Sequence, residues 1–83
     1  MSKYSIKCNA LDEIKWLFEV SSRQKFGVSV VSGTHKANAK SIFGVLSIDL
    51  SKGADLEVDT PVRSNIDKYI EELREKCEVT AVD

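Results

Sequence analysis

This 83-residue chain is poor in the residues that usually perform chemistry, with one histidine, two cysteines and four glycines. A single histidine beside a predicted turn offers no Cys–His or Ser–His pair that would activate a nucleophile. The glycines are isolated and do not form a phosphate-binding loop. The acidic residues are scattered, unlike the clustered ligands of a metal site. We therefore expect no enzyme activity, no metal and no cofactor.

The sequence also lacks an apolar run of about 18 residues, the length that a membrane-spanning helix needs. Its first five residues, Met-Ser-Lys-Tyr-Ser, do not begin the apolar stretch of a signal peptide. The formal net charge of −1 argues against a general binder of nucleic acid or anionic membranes. These absences favour a cytoplasmic protein that binds neither nucleic acid nor membrane.

The length fits one small domain, 1–83, and 42% hydrophobic and 30% charged residues are typical of a globular protein. Residues 1–40 hold seven Lys/Arg against three Asp/Glu, a net charge of +4. Residues 41–83 hold five against ten, a net charge of −5. We interpret these charges as solvated faces, and the alternative is a basic half that attracts a partner with an acidic surface.

Cys8 and Cys77 are far apart in the sequence and do not form a Cys-x-x-Cys motif. Both fall on apolar stripes, so we expect them in or near the core. They could form a disulfide, but two reduced thiols are favoured in a chain without an export signal.

Period-two alternation predicts four strands. The alternating residues are Tyr4, Ile6 and Cys8 in the first strand, Val28 and Val30 in the second, His35, Ala37 and Ala39 in the third, and Leu56 and Val58 in the fourth. A tight turn at 32–34 joins the second and third strands into a hairpin. The tail, 78–83, has weak strand character and is left unassigned.

Helical spacing predicts a first helix over about 12–24, with Asp12 as its N-cap and Asn9 as a competing cap. Ser41 is the expected N-cap of a short second helix that ends near Leu46, since Gly44 makes a longer helix unfavourable.

A third helix is expected from Thr60 and Pro61, and Ser64 is an alternative cap. Its apolar stripe comprises Val62, Ile66, Tyr69, Ile70, Leu73 and Cys77. The order is then β-α-β-β-α-β-α. One four-stranded antiparallel sheet with three helices on one face would bury every apolar stripe, so the sequence predicts an α+β fold.

One segment, 38–58, has the sequence Asn-Ala-Lys-Ser-Ile-Phe-Gly-Val-Leu-Ser-Ile-Asp-Leu-Ser-Lys-Gly-Ala-Asp-Leu-Glu-Val. It resembles the regulatory-serine segment of HPr, the small phosphocarrier of the bacterial sugar phosphotransferase system. The resemblance implies the HPr-like open-faced β-sandwich. It also implies that Ser41 is the regulatory serine and that 42–46 is the short helix after it.

The other half of the HPr pattern is absent. In the resemblance, the family's phosphorylated histidine falls on Asp12, its arginine on Ile14 and the following proline on Lys15. The chain's own histidine, His35, lies on the predicted third strand, where we expect an ordinary strand residue. We therefore predict no phosphoryl transfer. Asp12 is interpreted as a helix cap, and the alternative is that its charge mimics phosphohistidine towards a partner.

Two hypotheses stay open for Ser41. It is a helix cap alone, or it is also phosphorylated by an ATP-dependent serine kinase. In the family, that phosphorylation turns the protein into a co-regulator of transcription in catabolite control. Phosphate at a helix start would gain from backbone N–H groups, and Lys40 would add positive charge.

The resemblance also implies an exposed apolar patch for protein partners, formed by Ile42, Phe43 and Leu46, with Val45 in the core. Trp16 is expected either to extend this patch or to be partly buried against the sheet. The predicted function is a non-catalytic, regulatory protein–protein interaction module. The alternative is a diverged HPr-fold protein with an unrelated binding role and no phosphorylation.

Overall fold

Strands with one buried and one exposed face form a single sheet. The computed structural model describes residues 2–82. The strands are β1 Ser2–Lys7, β2 Gly27–Ser32, β3 His35–Asn38, β4 Ala54–Asp59 and β5 Glu78–Ala81. They lie in the order β3-β2-β4-β1-β5, and each neighbouring pair is antiparallel. The predicted antiparallel sheet is confirmed.

Three helices follow the predicted order. They are α1 Leu11–Ser22, α2 Ile42–Leu46 and α3 Arg63–Leu73, and a 3₁₀ turn spans Leu50–Lys52. α1 packs against both α2 and α3. The element order through α3 is the predicted β-α-β-β-α-β-α, which confirms the α+β class with an open antiparallel sheet and three helices.

The sheet has five strands, so the prediction of four is wrong. The fifth strand, β5, lies in the tail that the sequence left unassigned, and it pairs with β1 at the edge of the sheet. Val79 is buried, whereas its three neighbours in the strand are exposed. One inward residue gives no alternating pattern, so pairing with β1, and not local sequence, defines this strand. Asp83, also in the predicted tail, lies outside the described residues.

The core lies between one face of the sheet and the helices. Its largest fully buried side chains are Tyr69, Ile6, Leu17, Leu50, Leu56 and Leu73. The alternating residues of the four predicted strands are buried, except His35, which is exposed at the start of β3 beside the turn. Cys8 and Cys77 are buried free thiols, as expected.

A buried polar pair joins α1 to α3. Ser21 Oγ and the Tyr69 hydroxyl are 2.6 Å apart. Burial raises the pKa of Tyr69 above its ordinary value, so the phenol stays protonated and bonded. The Phe26 ring meets Tyr69 edge-on, with 5.7 Å between ring centroids. This pair satisfies both hydroxyls where α1 and α3 meet.

The first helix begins without the predicted cap. Its N-cap is Ala10, so neither Asp12 nor Asn9 has that role. Asn9 instead donates its backbone N–H to Glu13 Oε1 at 2.9 Å. Asp12 lies inside the first turn, where its charge faces the positive end of the helix dipole.

The third helix starts later than predicted, at Arg63, and its N-cap is Val62 and not Ser64. Thr60 Oγ1 accepts the Val62 N–H at 3.2 Å, so the threonine shapes the entry into the helix. Val62 is 46% exposed and does not belong to the buried stripe, whereas Ile66, Tyr69, Ile70, Leu73 and Cys77 are buried.

The open face of the sheet mixes the two oppositely charged halves of the sequence. Lys3 of β1 pairs with Asp55 of β4 at 3.9 Å, and Lys36 of β3 pairs with Glu57 of β4 at 3.4 Å. These pairs are exposed enough that each stabilises the fold little. They do show that basic and acidic stretches meet on one surface, as expected of solvated faces.

Candidate interaction site at the second helix

The start of α2 is fixed by short polar contacts. Ser41 is its N-cap, as predicted, and its Oγ accepts the Gly44 N–H at 3.2 Å. The Ser41 N–H donates to the Asn38 carbonyl at 2.9 Å, which closes the turn after β3. Ser41 is exposed, so its hydroxyl is within reach of another protein.

Two neighbouring residues hold α2 against the body of the protein. Val45 is fully buried, which confirms the predicted core position. A Cβ atom on Gly44 would lie 3.1 Å from the Asn38 carbonyl oxygen and 3.4 Å from the Ala37 Cβ. The glycine therefore allows α2 to approach β3 closely. The sequence showed Gly44 as a helix breaker and gave no sign of this contact.

The outer side of α2 presents apolar side chains to solvent. Phe43 is 83% exposed and Leu46 is 47% exposed, so both lie on the surface as predicted. They are three residues apart, which places them on one helix face. Ile42 is half-buried and packs against the core. We call Phe43 and Leu46 the α2 patch. Its role in partner binding stays a prediction.

Lys40, expected to add positive charge near Ser41, is engaged elsewhere. Its Nζ donates to the Gln24 carbonyl at 2.7 Å, just beyond the end of α1. Its backbone N–H donates to Asn38 Oδ1 at 2.9 Å. The ammonium thus stabilises the junction between α1 and α2, and a phosphate on Ser41 would have to compete for it.

His35 stands at the other end of α2. Its Nε2 lies 2.9 Å from Ser47 Oγ, and Ser47 Oγ donates to the Gly44 carbonyl at 2.6 Å. Because the serine proton is directed at that carbonyl, the His35 Nε2–H is the donor to Ser47. The imidazole therefore supports the end of a helix, and it stands on a strand and not at a helix start.

Asp12 lies in a different setting from Ser41. It is exposed in the first turn of α1, with Glu13 beside it. Ile14, at the arginine position of the HPr pattern, packs against the core and presents no cation.

Trp16 lies where α1 meets α3. Its Nε1 donates to the Glu72 carbonyl at 2.8 Å, and Lys76 Nζ lies 5.1 Å from the ring centroid. The Arg23 guanidinium lies 5.8 Å from the same centroid. Trp16 is partly buried, but these contacts are with α3 and with residues just beyond the ends of α1 and α3, and not with α2. The structure thus gives Trp16 a packing role between helices, and its part in partner binding stays a prediction.

A shallow groove of about 280 Å³ lies between α3 and the β1–β5 edge, away from α2. Its charged walls include Arg63, which pairs with Asp67 at 3.3 Å, and Arg74, whose Nε donates to the Val79 carbonyl at 3.0 Å. These contacts occupy the groove's cations with structural bonds. Within residues 2–82, no group of three or more His, Cys, Asp or Glu is placed to hold a metal ion.

No family model, curated protein or solved structure matches this chain. Across the part of the chain that the structure describes, no helix is both long and apolar enough to cross a membrane.

Proposed function

We propose that this protein is an HPr-like, non-catalytic module of the cytoplasm that binds other proteins through α2. The observation that supports this most is Phe43, a large apolar side chain 83% exposed on a helix whose backbone is fixed. Covering an exposed aromatic side chain removes apolar area from water, which favours a complex. Because Ser41 and Val45 already hold the helix, little further ordering is needed on binding.

Phosphorylation of Ser41 is the proposed control of this surface. The hydroxyl is exposed and directly precedes the α2 patch, so a phosphate there would change the charge that a partner meets. It would also disturb the bond from the Gly44 N–H, which now ends on the Ser41 oxygen. In the HPr family, such a serine is the target of a dedicated kinase. We propose the same kind of kinase, and a transcriptional regulator of the catabolite-control type, as partners.

The experiment is the intact mass of the protein after incubation with an HPr-type serine kinase and ATP. We expect one phosphate on the wild type and none on Ser41→Asn. Asparagine caps a helix about as well as serine but has no hydroxyl to modify, so this variant separates lost phosphorylation from lost folding. Ser64→Ala, at an exposed serine of α3, is the matched control and should accept one phosphate. Equal uptake by wild type and Ser41→Asn would refute the proposed control site.

The binding surface is tested separately, by titrating phosphorylated protein with a catabolite-control regulator. Phe43→Ser should weaken binding roughly tenfold or more, since buried aromatic anchors often dominate interface energies. Val31→Ser, at a partly buried position on the opposite sheet face, is the matched control for removing apolar area. If both variants bind as tightly as wild type, α2 is not the surface for this regulator.

The alternative is an HPr-fold protein with an unrelated binding role and no phosphorylation. The contact between Lys40 Nζ and the Gln24 carbonyl favours it, because the cation next to Ser41 in the sequence is already engaged. Ser41 would then be a helix cap alone. This alternative predicts no phosphate on wild type in the kinase experiment, with the α2 patch still binding an unmodified partner.

The absence of phosphocarrier chemistry is also part of the proposal. The test is incubation with phosphoenolpyruvate and the first enzyme of the sugar phosphotransferase system. Because Asp12 and Ile14 stand where the resemblance expects histidine and arginine, we expect no phosphoryl group on this chain. Acid-labile phosphate on His35 would contradict the proposal.

A further inference from the structure

Two thiols meet inside the protein although 69 positions separate them in the sequence. Cys8 Sγ lies 3.4 Å from Cys77 Sγ, with the hydrogen bond donated by Cys8. Cys8 is 1% exposed and Cys77 is 5% exposed. Cys77 Sγ in turn donates to the Glu13 carbonyl at 3.4 Å. The proposed function of α2 uses neither sulfur.

The sheet register explains why the two cysteines face each other. β1 and β5 pair with Ile6 opposite Val79 and Lys7 opposite Glu78. Cys8 is the residue directly after β1 and Cys77 the residue directly before β5, so the pairing of the two strands brings the cysteines together. Their backbone N–H groups are bonded elsewhere, to the carbonyls of Leu50 and Leu73. The pair therefore lies just beyond the hydrogen-bonded ladder.

A disulfide has an S–S bond of about 2.05 Å, so the two sulfurs must approach each other before they can bond. With the sulfurs already 3.4 Å apart, small side-chain rotations can bring them to bonding distance. The fold thus holds the two thiols in a geometry suited to a covalent bond.

The two sulfurs differ in their hydrogen bonds and in the direction of their pKa shifts. The hydrogen bond from Cys8 lowers the pKa of the Cys77 thiol, although burial and the charges of Glu13 and Asp12 oppose this. The same hydrogen bond and burial raise the pKa of Cys8. Since the thiolate is the nucleophile, this difference favours Cys77 as the thiol that reacts with an oxidant and Cys8 as the thiol that then attacks it. The greater exposure of Cys77 agrees with this order.

We propose that Cys8 and Cys77 are a redox-responsive pair that forms a reversible disulfide with a peroxide as oxidant. The Cys77 thiolate attacks one peroxide oxygen, the O–O bond breaks, and sulfenic acid and hydroxide form. The Cys8 sulfur then displaces hydroxide from the Cys77 sulfur. With hydrogen peroxide, each hydroxide carries one peroxide oxygen and one peroxide hydrogen, and each takes up one thiol proton, so two molecules of water leave. A dithiol reductant reverses the change by thiol–disulfide exchange.

The bond would join the end of β1 to the start of β5. Val79 is the buried residue of that short edge strand, so β5 has little apolar area to hold it on the sheet. Oxidation would fix β5 in place and shorten the free chain of the unfolded state. It would also remove the thiol proton that Cys77 donates to Glu13, in the first turn of α1.

The test treats the reduced full-length protein with equimolar hydrogen peroxide and follows intact mass, non-reducing gel migration and thermal unfolding. We expect the loss of two hydrogen atoms and a monomer on the gel. Trypsin should then release the peptide 8–15 linked to 77–83. The melting temperature should rise by roughly 10 °C, because the bond closes a long loop. Dithiothreitol should restore the original mass and melting temperature.

Comparing two redox states of the wild type avoids dependence on a variant that fails to fold. Cys8→Ser is the control for the second step: its hydroxyl can still donate to Cys77 but cannot form a disulfide, so this variant should retain sulfenic acid on Cys77, detected by a dimedone adduct. The proposal is wrong if peroxide leaves the wild-type mass unchanged. It is also wrong if oxygen is added without a cross-link, or if the cross-link joins two chains.

Discussion

The N-cap of α1 is Ala10, whose side chain has no oxygen, whereas the N-cap of α2 is Ser41, whose hydroxyl accepts the Gly44 N–H. α1 has 12 residues and buries Leu17 and Val20, which anchor it in the core. α2 has five residues, with Val45 buried. A helix of either length is marginal in isolation, so tertiary contacts must hold both.

The difference shows where the molecule tolerates change. α1 is held mainly by packing of its buried side chains. A first turn without a side-chain cap therefore lowers the free energy of unfolding only a little. α2 depends on a few short bonds around Ser41 and Gly44, so a modification there alters a local surface while the core stays folded. This separation suits a protein whose proposed control site is Ser41.

Leu17→Ala should have the largest effect, because it removes the core anchor of α1. The side chain is fully buried, and we expect the free energy of unfolding to fall by about 2 to 5 kcal/mol. Urea denaturation measures this. Leu46→Ala is the matched control and should cost much less, since Leu46 is 47% exposed. If both substitutions lower the free energy of unfolding equally, the two helices do not differ in how much they depend on core packing.

Ser41→Ala should lower the free energy of unfolding by about 1 kcal/mol, because the Gly44 N–H loses its acceptor. The loss should be local, so hydrogen exchange should accelerate at Gly44 while amides of β1 and β4 stay protected. Ser41→Asn restores an acceptor and should recover most of the stability. An equal loss in Ser41→Ala and Ser41→Asn would mean that the cap does not hold α2.

Sequence patterns predicted the elements that have several inward residues at a regular spacing. β1, β2, β4, α1 and α3 are examples, and Ser41 was predicted as a cap because polar helix starts have a local signature. The prediction of Asp12 as the cap of α1, with Asn9 as its competitor, was wrong, because the N-cap is the last residue with extended backbone before the helix, here Ala10. That point depends on how β1 and α1 pack.

The remaining features depend on contacts between distant parts of the chain. β5 forms because the edge of β1 is open to pairing, and the sequence of its four residues does not predict a strand. The approach of Cys8 to Cys77 follows from the same pairing, extended by one residue. The engagement of Lys40 by Gln24 likewise needs α1 and α2 in place. Spacing along the sequence contains none of this information.

Ala10→Ser should make the start of α1 more like that of α2. Ala10 has φ −134° and ψ 158°, the extended conformation that cap residues adopt, so a serine hydroxyl can accept an N–H of the first turn. We expect a gain of about 0.5 to 1 kcal/mol in unfolding free energy, measured by urea denaturation. Ala10→Val, without an oxygen, should give no gain. A loss with serine would contradict this expectation and would mean that the first turn gains nothing from a second acceptor, since the Glu13 N–H already donates to the Ala10 carbonyl at 3.1 Å.

Asp12→Asn should have the smallest effect on stability, a few tenths of a kcal/mol, because Asp12 is exposed and acts through the helix dipole. The difference from wild type should shrink as salt screens the charge. Because Ala10 is the N-cap, Asp12 does not cap the helix. Its negative charge can then act in two ways, through the helix dipole or through contact with a partner. Binding decides between them. A partner that binds Asp12→Asn as tightly as wild type excludes the mimicry of phosphohistidine, whereas a large loss from a variant of nearly unchanged stability would place Asp12 in the interface.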